Sequence, residues 1–256
     1  MKISIITATY NSGGTLRSAL ESVLRQSYTD FEYLVIDGKS DDDTLDIVKA
    51  YQPKFEGKLH CISEPDKGIY DAMNKGIRMA TGEIIGLLNS DDFYTSDDVL
   101  QQVADVMKNG EMDAVYGDVH YVDGDNLDRC VRYYSSRPFR RGWMRLGFMP
   151  AHPSFYCRKE IYERFGMFDT SYKVAADFEN LLRLIYVNRI RIRYVPMDFV
   201  TMRTGGASTS GLHSHRRIMA DHLRALRTNK VYSNVFLLSL RYLYKIGEVM
   251  WSKSKF

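Results

Sequence analysis

The sequence predicts an α/β fold in which a mainly parallel central sheet is flanked by helices and followed by a helical tail. Over the first 110 residues, short apolar runs alternate with amphipathic segments of helical length. This alternation is typical of parallel strands joined by right-handed crossovers. After residue 110 the pattern changes to consecutive strand-like runs, and after residue 210 it becomes helical and amphipathic.

Four apolar runs in the first half have the composition of buried strands, and each is followed by an amphipathic helix. The strands are Ile3–Thr7, Phe31–Ile36, Leu59–Ile62 and Glu83–Leu88. Asp41 is expected to cap the second helix and Ser96 the fourth. The apolar stripes of the four helices are Leu16, Ala19, Leu20, Val23 and Leu24; Leu45, Val48 and Tyr51; Ile69, Ala72, Met73, Ile77 and Ala80; and Val99, Val103 and Val106.

The second half predicts a different arrangement. Ala114–Val122 and Cys130–Tyr134 are expected to form a hairpin. Residues 151–202 are expected to contain a strand at Ser154–Cys157, two helices and a final strand pair, and residues 213–251 to be helical. We therefore expect one domain with two functional halves and an appendage: residues 1–110, residues 111–210, and a basic tail of residues 211–256.

The composition argues against several classes of protein. A hydrophobic fraction of 45% is ordinary for a folded globular chain. The three cysteines are widely spaced and lack a CxxC motif, which favours reduced thiols in a cytoplasmic protein over a disulfide framework or a zinc site. No apolar run approaches the roughly 20 residues of a membrane span, and the N-terminal run is too short for a signal peptide.

Positive charge is concentrated at the C-terminal end. The net charge is +3, and residues 203–256 hold ten Lys or Arg but two Asp or Glu. Such a bias points to an anionic surface or substrate, whereas nucleic acid is not expected, because no binding motif accompanies it. The stretch Val231–Trp251 has two interpretations: a helix lying on an anionic membrane, on the cytosolic face of the inner membrane, or a core-covering or dimerising helix. No oligomeric state is predicted.

Acidic side chains follow two of the predicted strands. Asp37 comes directly after the second strand, and Asp91-Asp92 closes the fourth. Open α/β sheets bind ligands at the carboxyl ends of their strands, and carboxylate oxygens suit Mg²⁺ or Mn²⁺. The sequence therefore predicts a site for a nucleotide diphosphate and its metal.

Four motifs occur together in this order along the chain: Thr7-Ala8-Thr9-Tyr10-Asn11, Asp37-Gly38-Lys39-Ser40-Asp41, residues 63–76, and Asn89-Ser90-Asp91-Asp92. Together they resemble the inverting family 2 glycosyltransferases of the GT-A fold, and the likeness extends to about residue 210. Residues 63–76 resemble the WcaE-like bacterial branch, which builds surface polysaccharides. The resemblance implies transfer of a hexose from a nucleotide sugar, with a UDP-sugar favoured, to a glycan or lipid-linked acceptor.

The resemblance also implies roles for donor-side residues. Thr9 and Tyr10 would line the nucleobase, and Asp37 would accept a hydrogen bond from the uracil or ribose. Asp92 would bind Mg²⁺ or Mn²⁺, and Asp91 the donor sugar or ribose.

Further donor contacts are less specific in sequence. Lys67 and Asp71 would touch the donor by resemblance, but from the residues alone Asp71 equally suits a helix cap. Residues 205–210 could close over the diphosphate through backbone amides or form a flexible surface loop. His213 and His215 follow this segment, and we do not expect them to bind the metal.

Inverting transfer requires one base that deprotonates the acceptor hydroxyl. By resemblance this base is Asp177, although an Asp at a helix start is more often a cap. Glu179 is the reserve and a candidate acceptor contact. His152 resembles the acceptor-binding histidine of the family, whereas a lone His is usually structural.

Other function classes fit the sequence less well. A non-catalytic nucleotide-sugar-binding module acting with a partner would not need both Asp91-Asp92, which we call the acidic pair, and Asp177. A nucleotidyltransferase would need a basic Gly-rich loop after the first strand, but no basic residue occurs there before Arg17. A dinucleotide-dependent oxidoreductase would need a GxGxxG motif at the same place.

Overall fold

The computed structural model describes residues 1–124, 126–205 and 211–242, with the backbone alone at residues 211–215. The segment of residues 206–210, the side chains of His213 and His215, and the end of the tail lie outside the described residues. Within the described chain, no helix is both long and apolar enough to cross a membrane. The three cysteines are free thiols.

In the described chain, nine strands form one sheet in the order β3-β2-β1-β4-β8-β6-β9-β5, with β7 paired to β6. The strands are β1 (Ile3–Thr9), β2 (Phe31–Asp37), β3 (Leu59–Ser63), β4 (Ile84–Leu87), β5 (Phe93–Tyr94), β6 (Ala114–Asp123), β7 (Asn126–Tyr134), β8 (Phe155–Arg158) and β9 (Ile192–Arg203).

The parallel part of the sheet comes mainly from the first half. β1 pairs in parallel with β2 and β4, and β2 with β3. β8 then lies antiparallel to both β4 and β6, and the β6–β7 hairpin confirms the prediction. β6 and β9 are again parallel.

The predicted final strand pair is wrong, because β9 is a single strand of 12 residues. It contains Pro196, and its pairing with β6 shifts register between Tyr116 and Val119. Proline is tolerated at such an irregularity, since the ladder there does not need its missing N–H.

Helices cover both faces of the sheet. They are α1 (Leu16–Leu24), α2 (Thr44–Tyr51), α3 (Ile69–Met79), α4 (Val99–Met107), α5 (Lys159–Phe165), α6 (Ala176–Leu181), which continues as a π-helical segment (Leu182–Val187), and α7 (Gly211–Thr228). The predicted single tail helix is interrupted after α7, and a second helix, which we call the C-terminal helical segment, occupies residues 235–242 of the described chain.

Neither Asp41 nor Ser96 forms the predicted capping bond in the structure. The backbone N–H of Thr44 donates to Asp42, not to Asp41, at 3.0 Å. Ser96 donates to the Asp98 carboxylate at 2.6 Å, and α4 has no side-chain cap bond. Several acids and hydroxyls compete at each helix start, so the sequence pattern could not identify the capping residue.

Two apolar cores lie on opposite faces of the sheet. One contains the buried faces of α1, α2 and α4. The other contains those of α3, α5, α6 and α7, together with fully buried Leu238 of the C-terminal helical segment. Both cores draw residues from before and after residue 110, so the predicted halves share one sheet. Their separate donor and acceptor roles stay a prediction.

The fold brings the predicted donor motifs to one edge. In register, Thr9 lies beside Asp37, and Asp37 beside Ser63. β4 lies on the other side of β1 and runs in the same direction, so the acidic pair that follows it reaches this same edge.

Candidate active site at the carboxyl edge of the sheet

Asp37 organises the end of β2. Its carboxylate is fully buried and accepts three hydrogen bonds: from the Ser40 backbone N–H at 3.0 Å, the Ser40 hydroxyl at 2.5 Å and the Ser63 hydroxyl at 2.6 Å. These bonds fix the loop after β2 against β3. The predicted contact of Asp37 with uracil or ribose stays a prediction, and such a ligand would have to share these oxygens.

Tyr10 and Gly38 follow the ends of β1 and β2, next to Asp37. The Tyr10 side chain is 62% exposed. A Cβ at Gly38 would lie 2.6 Å from Asp66 Oδ2 and 3.5 Å from the Tyr10 ring, so only glycine leaves this space clear. Thr9 is buried, and its hydroxyl has no hydrogen-bond partner in the described chain. The exposed Tyr10 ring suits the stacking of a nucleobase.

The two members of the acidic pair, Asp91 and Asp92, differ in solvent exposure. Asp92 is 1% exposed and accepts a hydrogen bond from the Asn89 amide at 2.8 Å, whereas Asp91 is half-buried. Burial, and then the charge of Asp91, raise the pKa of Asp92 well above its usual range, while Arg203 opposes the shift. Burial and mutual repulsion therefore disfavour the state in which both carboxyl groups are ionised.

These residues fit a hard divalent cation. No group of three or more His, Cys, Asp or Glu side chains that could hold a metal occurs among the side chains the structure describes. Mg²⁺ often takes one or two protein carboxylates and completes its coordination with substrate phosphates and water. The acidic pair would thus hold such an ion jointly with a diphosphate.

Arg203, at the end of β9, is a site residue that the sequence did not reveal. Its Nε donates to the Asp91 carbonyl at 3.1 Å, and its Nη2 donates to the Ser18 hydroxyl at 2.6 Å. The guanidinium therefore sits beside the acidic pair. The available signal was a strand that ends in a basic residue just before a Gly/Ser run, but in sequence Arg203 is one of the ten basic residues within 203–256.

Asp177 and His152 meet where the start of α6 contacts the loop that precedes β8. Asp177 lies in the first turn of α6, where its Oδ1 accepts the Phe178 backbone N–H at 2.8 Å. Its Oδ2 lies 3.4 Å from His152 Nδ1. Burial raises the pKa of Asp177, and the charge of His152 partly offsets that increase.

His152 connects this pair electrostatically to the acidic pair. Burial lowers the pKa of His152, while the charges of Asp177 and then Asp91 act to raise it. The imidazole is therefore favoured in its neutral form at neutral pH.

A cavity of about 270 Å³ opens in front of Asp177 and His152. Its walls come from β6, β7, β9, the loop that precedes β8, the start of α6, α7 and the C-terminal helical segment. It can admit a small acceptor group and bring it to the Asp177 carboxylate.

The structure does not bring Glu179 into this cavity. Glu179 is 4% exposed and accepts two hydrogen bonds from Arg183, at 3.0 and 3.1 Å, and one from Asn229, at 3.1 Å. Arg183 lies on the π-helical continuation of α6, and Asn229, which directly follows α7, joins α6 to the end of that helix. The geometry thus favours a structural role over the predicted acceptor contact.

Lys67 and Asp71 show the capping arrangement. The Lys67 backbone N–H donates to Asp71 Oδ2 at 3.1 Å, just before α3 begins, and the Lys67 side chain is exposed. Their contact with a donor stays a prediction.

Comparison with known proteins identifies a family that this chain resembles. The family model described as Glycosyl transferase family 2 matches residues 4–165. A PGL/p-HBAD biosynthesis glycosyltransferase of Mycobacterium bovis is 30% identical over 200 residues, which cover 75% of this chain and 73% of the relative. An uncharacterized glycosyltransferase of Mycobacterium tuberculosis is 31% identical over 220 residues, covering 84% of this chain and 78% of the relative.

Solved structures show the same fold. Residues 1–349 of S. aureus TarS, in complex with UDP-GlcNAc, match with a TM-score of 0.68 and 22% identity, covering 88% of this chain and 66% of that one. The chain spans 40% of the longer TarS chain. Mannosyltransferase PcManGT from Pyrobaculum calidifontis, in complex with GDP-Man and Mn²⁺, matches with a TM-score of 0.64 and 16% identity, covering 98% of this chain and 83% of that one. Both confirm the predicted GT-A fold.

Proposed function

The chain belongs to glycosyl transferase family 2, and from that premise we propose that it is an inverting hexosyltransferase of EC class 2.4. The donor is a nucleotide sugar, with a UDP-sugar favoured, and the acceptor is a glycan or lipid-linked saccharide in bacterial surface-polysaccharide biosynthesis. The observation that supports this most strongly is the half-buried Asp177 carboxylate, 3.4 Å from His152, at the wall of a cavity.

Asp177 is the proposed base. In an inverting transfer the acceptor oxygen forms a bond to the anomeric carbon while the bond from that carbon to the diphosphate oxygen breaks. The acceptor proton passes to Asp177 Oδ2. Burial has raised the pKa of this carboxyl, which makes its ionised form a better proton acceptor than an exposed Asp.

The second requirement is stabilisation of the negative charge that develops on the departing diphosphate. Mg²⁺ or Mn²⁺ held by Asp92, together with Asp91, would supply Lewis-acid stabilisation of that charge. Arg203 adds a permanent positive charge from the protein at the same place, because its guanidinium contacts the Asp91 backbone. Tyr10 would stack on the nucleobase, and Thr9 and Asp37 would lie beside it.

A donor panel tests this proposal. UDP-, dTDP- and GDP-sugars are incubated with Mg²⁺ or Mn²⁺ and candidate acceptors, and nucleotide release is measured for the wild type and for Asp91→Asn, Asp92→Asn and the exposed control Asp46→Asn. We expect metal-dependent release from one donor, lost in both acidic-pair variants and retained in the control. Nucleotide binding without release under every condition would contradict the enzyme proposal and favour the non-catalytic module.

We also propose that this protein is cytoplasmic and contacts an anionic membrane peripherally. Three apolar side chains, Tyr232, Val235 and Phe236, are 70%, 56% and 72% exposed on one part of the basic tail. Arg145 lies beside them, since its Nε donates to the Tyr232 carbonyl at 2.9 Å. An exposed apolar patch within a basic segment suits insertion between anionic headgroups.

Flotation with vesicles of phosphatidylglycerol tests the membrane contact. Replacing Tyr232, Val235 and Phe236 together by Ser should abolish flotation. The control replaces Leu127 and Val131 by Ser, because they are also exposed but lie on β7. Equal recovery of the wild type and the triple variant would refute the contact.

A further inference from the structure

A buried arginine lies at the wall of the Asp177 cavity. Arg241 is 5% exposed and lines this cavity from the C-terminal helical segment. Its Nη1 lies 2.5 Å from His222 Nδ1, and its Nη2 donates to the Tyr242 hydroxyl at 3.2 Å. Its Nε has no hydrogen-bond partner among the described residues. Gly147 allows this close packing, since a Cβ there would lie 3.1 Å from Nη1.

The partners of Arg241 among the described residues do not compensate its charge. A guanidinium only donates hydrogen bonds, so His222 Nδ1 is the acceptor in this contact, and neither His222 nor Tyr242 is a carboxylate. No carboxylate within residues 1–124, 126–205 and 216–242 forms an ion pair with Arg241. A buried cation without a counter-ion is costly, and an anion brought into the cavity would relieve that cost.

The other residues that line the cavity indicate the chemical group that would carry such an anion. Arg132 lines the β7 wall, where its guanidinium lies 5.3 Å from the Tyr121 ring centre and 5.5 Å from that of Tyr134. Asp177 is the one acid among the described residues that line the cavity. Apolar side chains form much of the remaining wall: Phe148, Met149, Val174, Met202 and Ile218.

We propose that Arg241, with Arg132, binds an oxyanion of the acceptor, a phosphate or a carboxylate next to an apolar group. This contact positions the acceptor hydroxyl beside Asp177. The inference rests on the proposed function, because it names the class of acceptor for that same site. It also gives the C-terminal helical segment a role in acceptor recognition.

Calorimetric titration with small probes tests the oxyanion site. Phenyl phosphate, benzoate and neutral benzamide are titrated into the wild type, Arg241→Gln and Arg145→Gln, each with and without saturating UDP and Mg²⁺. Arg145 is the matched control, because it contacts the Tyr232 carbonyl and does not line the cavity. The tighter of the two anionic probes identifies the class of oxyanion.

We expect an anionic probe to bind the wild type and Arg145→Gln, and to bind Arg241→Gln at least about tenfold more weakly. UDP affinity and benzamide binding should be the same in all three proteins. Arg241→Lys, which keeps the charge, should retain part of the probe affinity, and Arg132→Gln should weaken it independently if Arg241→Gln fails to fold.

Three results would overturn the inference. Equal probe affinity in the wild type and Arg241→Gln, or no anionic probe binding to the wild type, would remove the oxyanion site. Displacement of the probe by UDP would assign Arg241 to the donor diphosphate instead. Failure of the wild type to bind any nucleotide would contradict the proposed function separately, because the titration without UDP still reports on the anion site.

Discussion

At the scale of single residues, the proposed chemistry depends on how burial changes the pKa of the Asp177 carboxyl group. The raised pKa of Asp177 comes first from burial, and His152 limits the rise. An acceptor-deprotonating base must be ionised, so activity should be present above this raised pKa and lost as the pH falls through it.

The first prediction concerns this pH dependence. At saturating donor, the turnover rate of the wild type should fall on the acid side with an apparent pKa above 3.8, the ordinary Asp value. Because Asp177 and His152 interact, this pKa belongs to the pair. Asp177→Glu should shift the acid limb of the pH–rate profile, and an unchanged limb in that variant would show that another group controls it.

Glu32 is a buried residue whose carboxyl pKa is lowered, whereas that of Asp177 is raised. Burial would raise its pKa, but hydrogen bonds from Ser4, Lys2 and Thr81 outweigh burial and lower the pKa from 4.5 to about 2. A lowered folded-state pKa contributes stability that is present above pH 4.5 and lost as the pH falls through about 2.

The second prediction is therefore that Glu32→Gln lowers the free energy of unfolding by about 1–3 kcal/mol at pH 7. The difference from the wild type should shrink as the pH approaches 2. Urea unfolding at several pH values measures it, with exposed Glu111→Gln as the control. A pH-independent difference would mean that packing, not charge, accounts for the effect.

Helix geometry explains why Asp177 lies at the cavity whereas Glu179, the other candidate base, does not. Residues two apart on a helix do not share a face, so Asp177 and Glu179 could not both face the cavity. The resemblance suggested both Asp177 and His152, but their contact joins distant segments. No spacing rule predicts a contact of that kind. The same holds for Arg203, which depends on where β9 ends.

At the scale of elements, the first four strands follow their sequence patterns closely, and the second half follows less well. β5 has only two residues, too few to give a periodic signal. β9 contains a proline, which normally argues against a continuous strand. The first half could therefore be predicted element by element, whereas the order of β8, β6 and β9 depends on long-range pairing.

Gly76 gives the third prediction, because two element-level effects oppose each other there. Ala is the better helix former by about 1 kcal/mol, but a Cβ at Gly76 would collide with the Ile6 side chain where α3 packs on β1. We expect Gly76→Ala to lower the free energy of unfolding by about 1–2 kcal/mol.

Chemical denaturation measures this effect. Gly142→Ala is the matched control, since a Cβ there meets no atom within 4 Å. Stabilisation by Gly76→Ala would show that α3 can move away from β1.

At the scale of the whole molecule, the tail is part of the domain as far as it is described. Leu226 and Leu238 are buried in the core beneath α7 and the C-terminal helical segment. The core-covering interpretation of this part is therefore confirmed, and it is compatible with membrane contact through the exposed patch.

The fourth prediction follows from that packing. Leu238→Ala should lower the free energy of unfolding by about 2–5 kcal/mol, because it leaves a cavity against Gly147. Val235→Ala is the control, since Val235 is 56% exposed. Equal stability of the two variants would contradict the packing of the tail.

The central claim is that Asp177 removes the acceptor proton, and Asp177→Asn tests it most directly. The amide can still accept the Phe178 N–H bond, so α6 should stay intact. Product formation and donor affinity are measured with the donor identified by the panel. We predict a loss of transfer of at least about 100-fold with donor affinity unchanged. Transfer at the wild-type rate would contradict the claim.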